Sequence, residues 1–196
     1  MDENDTRQRI KEAVRRMSAA GTKGDLGGVI ARELLRFSLY DLQVMGGMIR
    51  REVDKLPQPY REKFRPYFQE QYFGYYHRCV AMYRSDTFAR MHDAITDTEL
   101  FGKFCAIVDE GSFANLDGSG TDVYFENPLY TLYYYLISGF AMFVLDEPGH
   151  PVGTPFPGGF EVEKRGSEYF CPIREKEEDV IFSICNVCPA KQLEGV

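Results

Sequence analysis

The chain contains no tryptophan, only three histidines and an odd number of cysteines, five. With so few histidines, no Ser/His/Asp or Cys/His/Asn order stands out, so the sequence does not support a hydrolytic triad. The odd cysteine count argues against a disulfide framework, and the N-terminus has no basic stretch followed by an apolar run. We therefore expect a cytoplasmic protein whose cysteines are reduced.

Long hydrophobic runs are also scarce. One segment of 17 residues, 129–145, carries no charge, which is at the lower limit for crossing a bilayer. Its flanks are acidic (Glu126, Asp146 and Glu147), with no Lys or Arg to orient it. Tyrosines would lie near its middle. The segment is therefore interpreted as a buried helix, with no membrane contact.

Basic residues become rare in the second half of the chain. Residues 1–98 contain 17 Lys or Arg against 14 Asp or Glu, a net charge of +3, whereas residues 99–196 contain 6 against 16, a net charge of −10. Such a charge disfavours nucleic acid as a partner. The basic residues near the N-terminus are interpreted as a solvated helix face: Arg7, Arg9, Lys11, Arg15 and Arg16.

No βαβ alternation is present, which argues against Rossmann and thioredoxin-like folds. Apolar residues recur instead at helical spacing, most clearly from Leu26 to Leu56, where they predict one long helix with a kink or a close contact at Gly46 and Gly47. Pro66 is expected to begin a further helix, and Asn127 to cap another. The predicted fold is mainly α, a bundle-like helical domain over residues 1–147.

From residue 148 the composition changes, and we call residues 148–196 the C-terminal module. Its first part is rich in proline and glycine and cannot be regular structure. Residues 160–163 and 168–171 alternate as strands and predict a short hairpin that turns near Gly166. The PFPGG sequence at 155–159 is interpreted as a tight turn that holds the module against the helices. The module is predicted to pack on the helical domain as one structural unit.

Three of the five cysteines lie in this module, as Cys171-Pro and as Cys185-Asn-Val-Cys188-Pro. A Cys-x-x-Cys pair brings two thiolates onto one ion, and a third cysteine at a strand end supplies another side of a tetrahedron. The pattern therefore predicts a metal site, occupied by a zinc ion or a [4Fe–4S] cluster. Structural cysteines and a redox dithiol are the alternatives.

The fourth ligand is not determined by this pattern. His150 lies in the irregular segment that leads into the cysteines and is the first choice, although a turn histidine without a ligand role would look the same. Cys79 and Cys105 lie on apolar helical stripes, where a free cysteine is usually a core residue. Either would replace His150 if the helices frame the site.

The stretches HPVGTPFPGGFEVE (150–163), YFCPIREKEEDV (169–180) and ICNVCPA (184–190) resemble the C-terminal signature of an uncharacterised archaeal family found mainly in methanogens. The resemblance implies a lineage and a compartment but no reaction. It points to Cys171, Cys185, Cys188 and the Pro-Gly-Gly turn at 157–159, and further to His150. An anaerobic lineage would favour an iron–sulfur cluster over zinc.

Two functional classes follow. The first is a binding or regulatory protein without enzymatic activity, in which a metal ion attaches a small irregular module to a helical body. Such a protein would bind an unidentified protein partner. The second is an iron–sulfur protein in redox chemistry or in maturation, linked to anaerobic archaeal metabolism. The first is preferred, because no catalytic constellation accompanies the cysteines.

Overall fold

The computed structural model describes residues 2–114 and 127–195. Most of this part is helical, which confirms the mainly α prediction. The α-helices are α1 (Glu3–Ser18), α2 (Lys23–Leu34), α3 (Leu39–Lys55), α4 (Tyr60–Gln69), α5 (Tyr75–Arg84), α6 (Thr98–Gly111) and α7 (Pro128–Gly139). A three-stranded sheet follows, formed by β1 (Glu163–Arg165), β2 (Glu168–Cys171) and β3 (Lys191–Gln192). The sequence of residues 111–127, rich in Gly, Asn and Asp, predicts a loop, and most of these residues lie outside the part of the chain that the structure describes.

The single long helix predicted from Leu26 to Leu56 is wrong, because α2 and α3 are separate helices. Ser38 begins α3 as its N-cap: its hydroxyl accepts from the Asp41 amide, and the Asp41 carboxylate accepts from the Ser38 amide in return. This reciprocal capping satisfies the first backbone donors of a new helix. Both glycines lie within a continuous α3, and of the two only Gly46 comes close to a neighbour, the Phe73 ring.

Pro66 does not begin a helix, contrary to prediction. It lies inside α4, which continues through a π-helical turn (Glu70–Gly74) into α5. The predicted cap and first-turn proline of α7, Asn127 and Pro128, are confirmed. A second π-helical turn (Phe140–Val144) extends α7. Within residues 2–114 and 127–195, no helix has both the length and the apolar character to span a bilayer.

Helix α7 forms the centre of the core. Tyr133, Tyr135 and Leu136 are completely buried, and their neighbours come from several other helices. The Tyr133 hydroxyl donates to the backbone oxygen of Tyr72 at 2.7 Å, so its burial leaves no unpaired donor. The Tyr135 ring packs edge-on against Phe104 of α6. The apolar segment is therefore a buried helix, as its tyrosines indicated.

The solvated face predicted for α1 is wrong at one residue. Arg9 is only 9% exposed, and its guanidinium lies over the Phe37 ring, 4.8 Å from the ring centroid. The buried carboxylate of Glu33 explains this position, since Arg9 Nε lies 3.8 Å from a Glu33 oxygen. Arg16, on the same helix, also contacts Glu33 at 2.9 Å. A buried acid on α2 thus draws this part of α1 inward.

The hairpin predicted in the C-terminal module is confirmed, with its first strand displaced to Glu163–Arg165. Gly166 turns the chain with a φ of 63°, a conformation that suits glycine. Strand β3 pairs parallel to β2, with Cys171 opposite Gln192. The final segment of the chain therefore lies beside the strand that ends at Cys171.

Candidate functional site

The three cysteines of the C-terminal module lie in two neighbouring segments. Cys171 ends β2, while Cys185 belongs to a short 3₁₀ turn (Ile184–Val187) that Cys188 follows. The Leu193 amide donates to the Cys171 backbone oxygen at 3.0 Å and joins the segments. All three side chains are buried and unbridged. We call them the thiol group.

Arg174 ties the same two segments together. Its Nε donates to the Cys188 carbonyl at 3.2 Å, and its Nη2 contacts the Asn186 carbonyl at 3.4 Å. The guanidinium also acts on the thiols, since its charge favours the thiolate form of both Cys171 and Cys188. The Arg174 side chain therefore holds the backbone of the turn, and its positive charge favours the thiolate forms of Cys171 and Cys188.

Backbone amides favour the charged form of the sulfur in each Cys-Pro pair. The backbone amides of Ile173 and Arg174 favour the thiolate form of Cys171 and so act to lower its pKa, against the larger effect of burial. The Gly149 amide donates to the Cys188 sulfur at 3.5 Å, and the Ala190 amide also acts to lower the pKa of Cys188. Because proline has no amide hydrogen, the nearby amides after each cysteine belong to the residues beyond the proline, whereas Gly149 comes from a distant segment. Hydrogen bonds of this kind stabilise negative charge on sulfur.

Burial nevertheless keeps the thiols protonated. It raises the pKa of Cys171 to about 11 and that of Cys185 to about 12, and it raises the pKa of Cys188 as well. Mutual repulsion contributes, because charge on Cys188 disfavours ionisation of both other thiols. The three sulfurs are thus within electrostatic reach of one another. A bound cation would reverse this effect and favour the thiolates.

His150 lies next to the thiol group. It follows Gly149, the residue whose amide contacts the Cys188 sulfur, and it shares a cavity wall with Cys185. Its ring packs edge-on against Phe156, with the ring centroids 5.7 Å apart. Burial lowers the pKa of His150 to about 4, so the imidazole is neutral and its nitrogen lone pair is free of a proton at neutral pH.

These side chains do not form a ready-made metal centre. Among residues 2–114 and 127–195, no group of three or more His, Cys, Asp or Glu side chains has the arrangement of a metal site. The site predicted from Cys171, Cys185, Cys188 and His150 therefore stays a prediction. Cys79 and Cys105 lie in the helical core, on α5 and α6, as their apolar stripes indicated.

A cavity of about 380 Å³ adjoins the thiol group, and the sequence did not indicate it as a site. It lies between the C-terminal module and helices α3, α4 and α7. The sequence pattern that could have indicated the cavity lies on α4, where the aromatic residues Tyr60, Phe64 and Phe68 recur every four residues and share one helix face. The Tyr60 hydroxyl donates to the Pro155 carbonyl at 2.9 Å, so the PFPGG turn contacts the helices as predicted. We call this space the aromatic cavity.

The fold and the thiol group define a mainly helical protein with a small, cysteine-containing C-terminal module. The chain belongs to the family described as "Uncharacterized protein conserved in archaea" (DUF2115), whose model matches residues 22–193. The family resemblance noted from the sequence is therefore confirmed.

Relatives in methanogens support the same assignment. A UPF0305 protein of Methanopyrus kandleri is 35% identical over 136 residues, covering 69% of this chain and 86% of its own length. A UPF0305 protein of Methanocaldococcus jannaschii is 23% identical over 171 residues, covering 84% of this chain and 93% of its own length. No solved structure matches the chain significantly.

Proposed function

We propose that the thiol group binds one structural zinc ion, with His150 as the fourth ligand, and that the protein is a binding or regulatory module rather than an enzyme. Zinc takes four nitrogen and sulfur ligands in a closed structural site. The thiol group offers three buried sulfurs, and His150, which lines a cavity together with Cys185, offers a neutral imidazole. Burial of all three cysteines suits a closed site.

The observation that carries the proposal is the Gly149 amide that donates to the Cys188 sulfur, joined by further backbone amides beside Cys171 and Cys188 that favour their thiolate forms. A buried neutral thiol gains little from such donors, whereas a metal-bound thiolate needs them, because its charge is desolvated. Arg174 adds a cation on the same side. The surroundings of Cys171 and Cys188 therefore fit a charged sulfur better than the apolar surroundings of a core cysteine.

A zinc ion here would join the end of β2 to the last turn of the chain. The module has little regular structure of its own, with strands of two to four residues. Metal binding contributes folding free energy directly in such small elements. The proposed role is therefore to hold the module rigid against the helices, where it presents a surface to a protein partner.

Metal analysis of cysteine variants tests the site. We expect about one zinc ion per chain in the wild-type protein purified without oxygen. Cys188→Ala is expected to lose the metal, because it removes one of the three sulfur ligands, the one whose charge acts on both Cys171 and Cys185. Cys105→Ala is the matched control, since it removes another buried cysteine from the helical core. Equal zinc content in the two variants contradicts the proposal.

Titration of the metal-free protein with zinc against a competing chelator tests the fourth ligand. His150→Ala is expected to weaken zinc binding by more than the roughly 10–100-fold that loss of an outer-shell partner costs, because it removes a direct ligand. His77→Ala is the control, because His77 is exposed on α5. If His150→Ala binds zinc as tightly as the control, another group or water completes the site.

An iron–sulfur cluster is the alternative occupant, because amide donors to sulfur, such as Gly149 at Cys188, also tune cluster sulfurs. Iron, acid-labile sulfide and a broad visible absorption in protein purified without oxygen would assign it. The proposed role would then move from a structural module to redox chemistry or maturation.

A further inference from the structure

We propose that the aromatic cavity binds a small, neutral, aromatic molecule. Its volume of about 380 Å³ lies within the range of ~300–1,000 Å³ that ligand pockets occupy. The proposal does not require the metal, because it rests on the aromatic walls of the cavity, although His150 and Cys185 line the cavity and also belong to the proposed zinc site.

One wall consists of three aromatic rings on successive turns of α4. The Tyr60 and Phe64 rings stack with centroids 5.5 Å apart, and the Phe64 and Phe68 rings follow at 5.0 Å. Residues four apart share a helix face, so the rings form one continuous strip. Such a strip offers both faces and edges of π-systems to a planar ligand.

Further rings come from elements distant in the sequence. Tyr134 belongs to α7, whereas Phe156 and Phe182 belong to the C-terminal module. The module positions both of its rings through backbone contacts, since Tyr60 bonds to the Pro155 carbonyl and Tyr135 to the Phe182 carbonyl, each at 2.9 Å. The cavity is therefore enclosed by fixed elements on several sides, as a preformed ligand site is.

The charges at the cavity favour an uncharged ligand. Glu52 and Lys55 form an ion pair at 2.7 Å and neutralise each other. Glu177 already has an interaction within the protein. A charged ligand would lose its hydration without gaining an unpaired counter-charge. The imidazole of His150 forms no hydrogen bond within the described residues and offers one polar contact to the ligand.

Two matched dyes test both parts of the proposal. N-phenylnaphthylamine is neutral and aromatic, and anilinonaphthalene sulfonate has the same rings with an added anionic group. Binding is followed by direct excitation of the dye, at a wavelength that tryptophan does not absorb. We expect saturable binding of the neutral dye at one site per chain, and weaker binding of the sulfonate.

Leu56→Trp and Leu42→Trp localise the site. Leu56 lines the cavity, whereas Leu42 is a half-buried leucine of α3 that does not line it and lies in a neighbouring groove with Gly46 and Phe73. Filling the cavity is expected to reduce affinity for the neutral dye roughly tenfold or more, with Leu42→Trp within about twofold of wild type. Val180→Phe fills the cavity from the C-terminal module and replaces Leu56→Trp if that variant does not fold.

Saturable binding that Leu56→Trp or Val180→Phe removes and Leu42→Trp retains supports the proposal. Absence of saturable binding to the wild-type protein overturns it. Equal affinity in all variants places the dye elsewhere and overturns it as well. Tighter binding of the sulfonate than of the neutral dye overturns the assignment of an uncharged ligand.

Discussion

The buried carboxylate of Glu33 shows how a single residue organises its neighbours. Glu33 is 2% exposed, and three arginines surround it: Arg9 at 3.8 Å, Arg16 at 2.9 Å and Arg36 at 3.0 Å. A buried charge is tolerated only where partners compensate for its lost hydration. The pattern of α1 alone predicts a solvated face for its arginines. Their partner Glu33 lies on α2, 24 residues after Arg9, so the pattern of α1 does not reveal it.

Removal of this carboxylate is expected to destabilise the fold strongly. Glu33→Ala leaves the buried guanidinium of Arg9 without its counter-charge, and we expect a loss of ~3–5 kcal/mol in the free energy of unfolding. Arg36→Ala removes an arginine that is 46% exposed and should cost at most about 1 kcal/mol. Urea unfolding of both variants compares them. Equal losses would show that Glu33 contributes no more than a surface ion pair.

The protonation of the thiol group predicts the pH dependence of zinc binding. Burial raises the pKa of Cys171 to about 11 and of Cys185 to about 12, so the thiols are neutral at pH 7, and each must lose its proton to bind zinc. His150 is already neutral and releases none. Calorimetry in buffers of different ionisation enthalpy should therefore detect about three protons released per zinc. Affinity should rise with pH between 6 and 8. A pH-independent affinity would contradict thiol ligands.

At the scale of elements, periodicity predicted the helices but not their ends. The apolar stripe from Leu26 to Leu56 continues across the break between α2 and α3, because both helices bury the same kind of face. The decisive signal was local: Ser38 with an acid three residues later, a capping box that the sequence displays. The hairpin was predictable from alternation and Gly166, whereas the parallel pairing of β3 was not, since two residues carry no period.

Two glycines in helices should respond oppositely to the same substitution. A Cβ on Gly24 of α2 would lie 2.3 Å from the backbone oxygens of Phe88 and Met91, which cannot move independently, whereas Gly47 of α3 has open space around it. Gly24→Ala is expected to lower the free energy of unfolding by ~3 kcal/mol, the cost of a strongly overpacked core. Gly47→Ala is expected to stabilise it by ~0.5–1 kcal/mol. Thermal unfolding measures both, and a stabilised Gly24→Ala would exclude the close approach of α2 to Phe88.

For the whole molecule, the cysteine spacing identified the thiol group, but only the fold shows what surrounds it. The sequence could indicate that Cys171 returns towards Cys185 and Cys188 through a hairpin. It could not indicate the amide donors to sulfur, the bridging by Arg174 or the adjoining aromatic cavity, because these depend on contacts between segments far apart in the chain. The proposed metal and the cavity meet at Cys185 and His150, which belong to both.

If zinc holds the C-terminal module in place, its removal should loosen the module and leave the helical body intact. The exposed Lys176 lies between the two halves of the thiol group and serves as a tryptic reporter. Chelation is expected to accelerate cleavage after Lys176 in the wild-type protein, while Cys188→Ala is cleaved quickly with or without the chelator. Cleavage after Lys103, on α6, should not change and controls for global unfolding. The opposite outcome is cleavage after Lys176 at the same rate with and without chelator. It would show that packing alone holds the module, through contacts such as that between the Tyr135 hydroxyl and the Phe182 carbonyl.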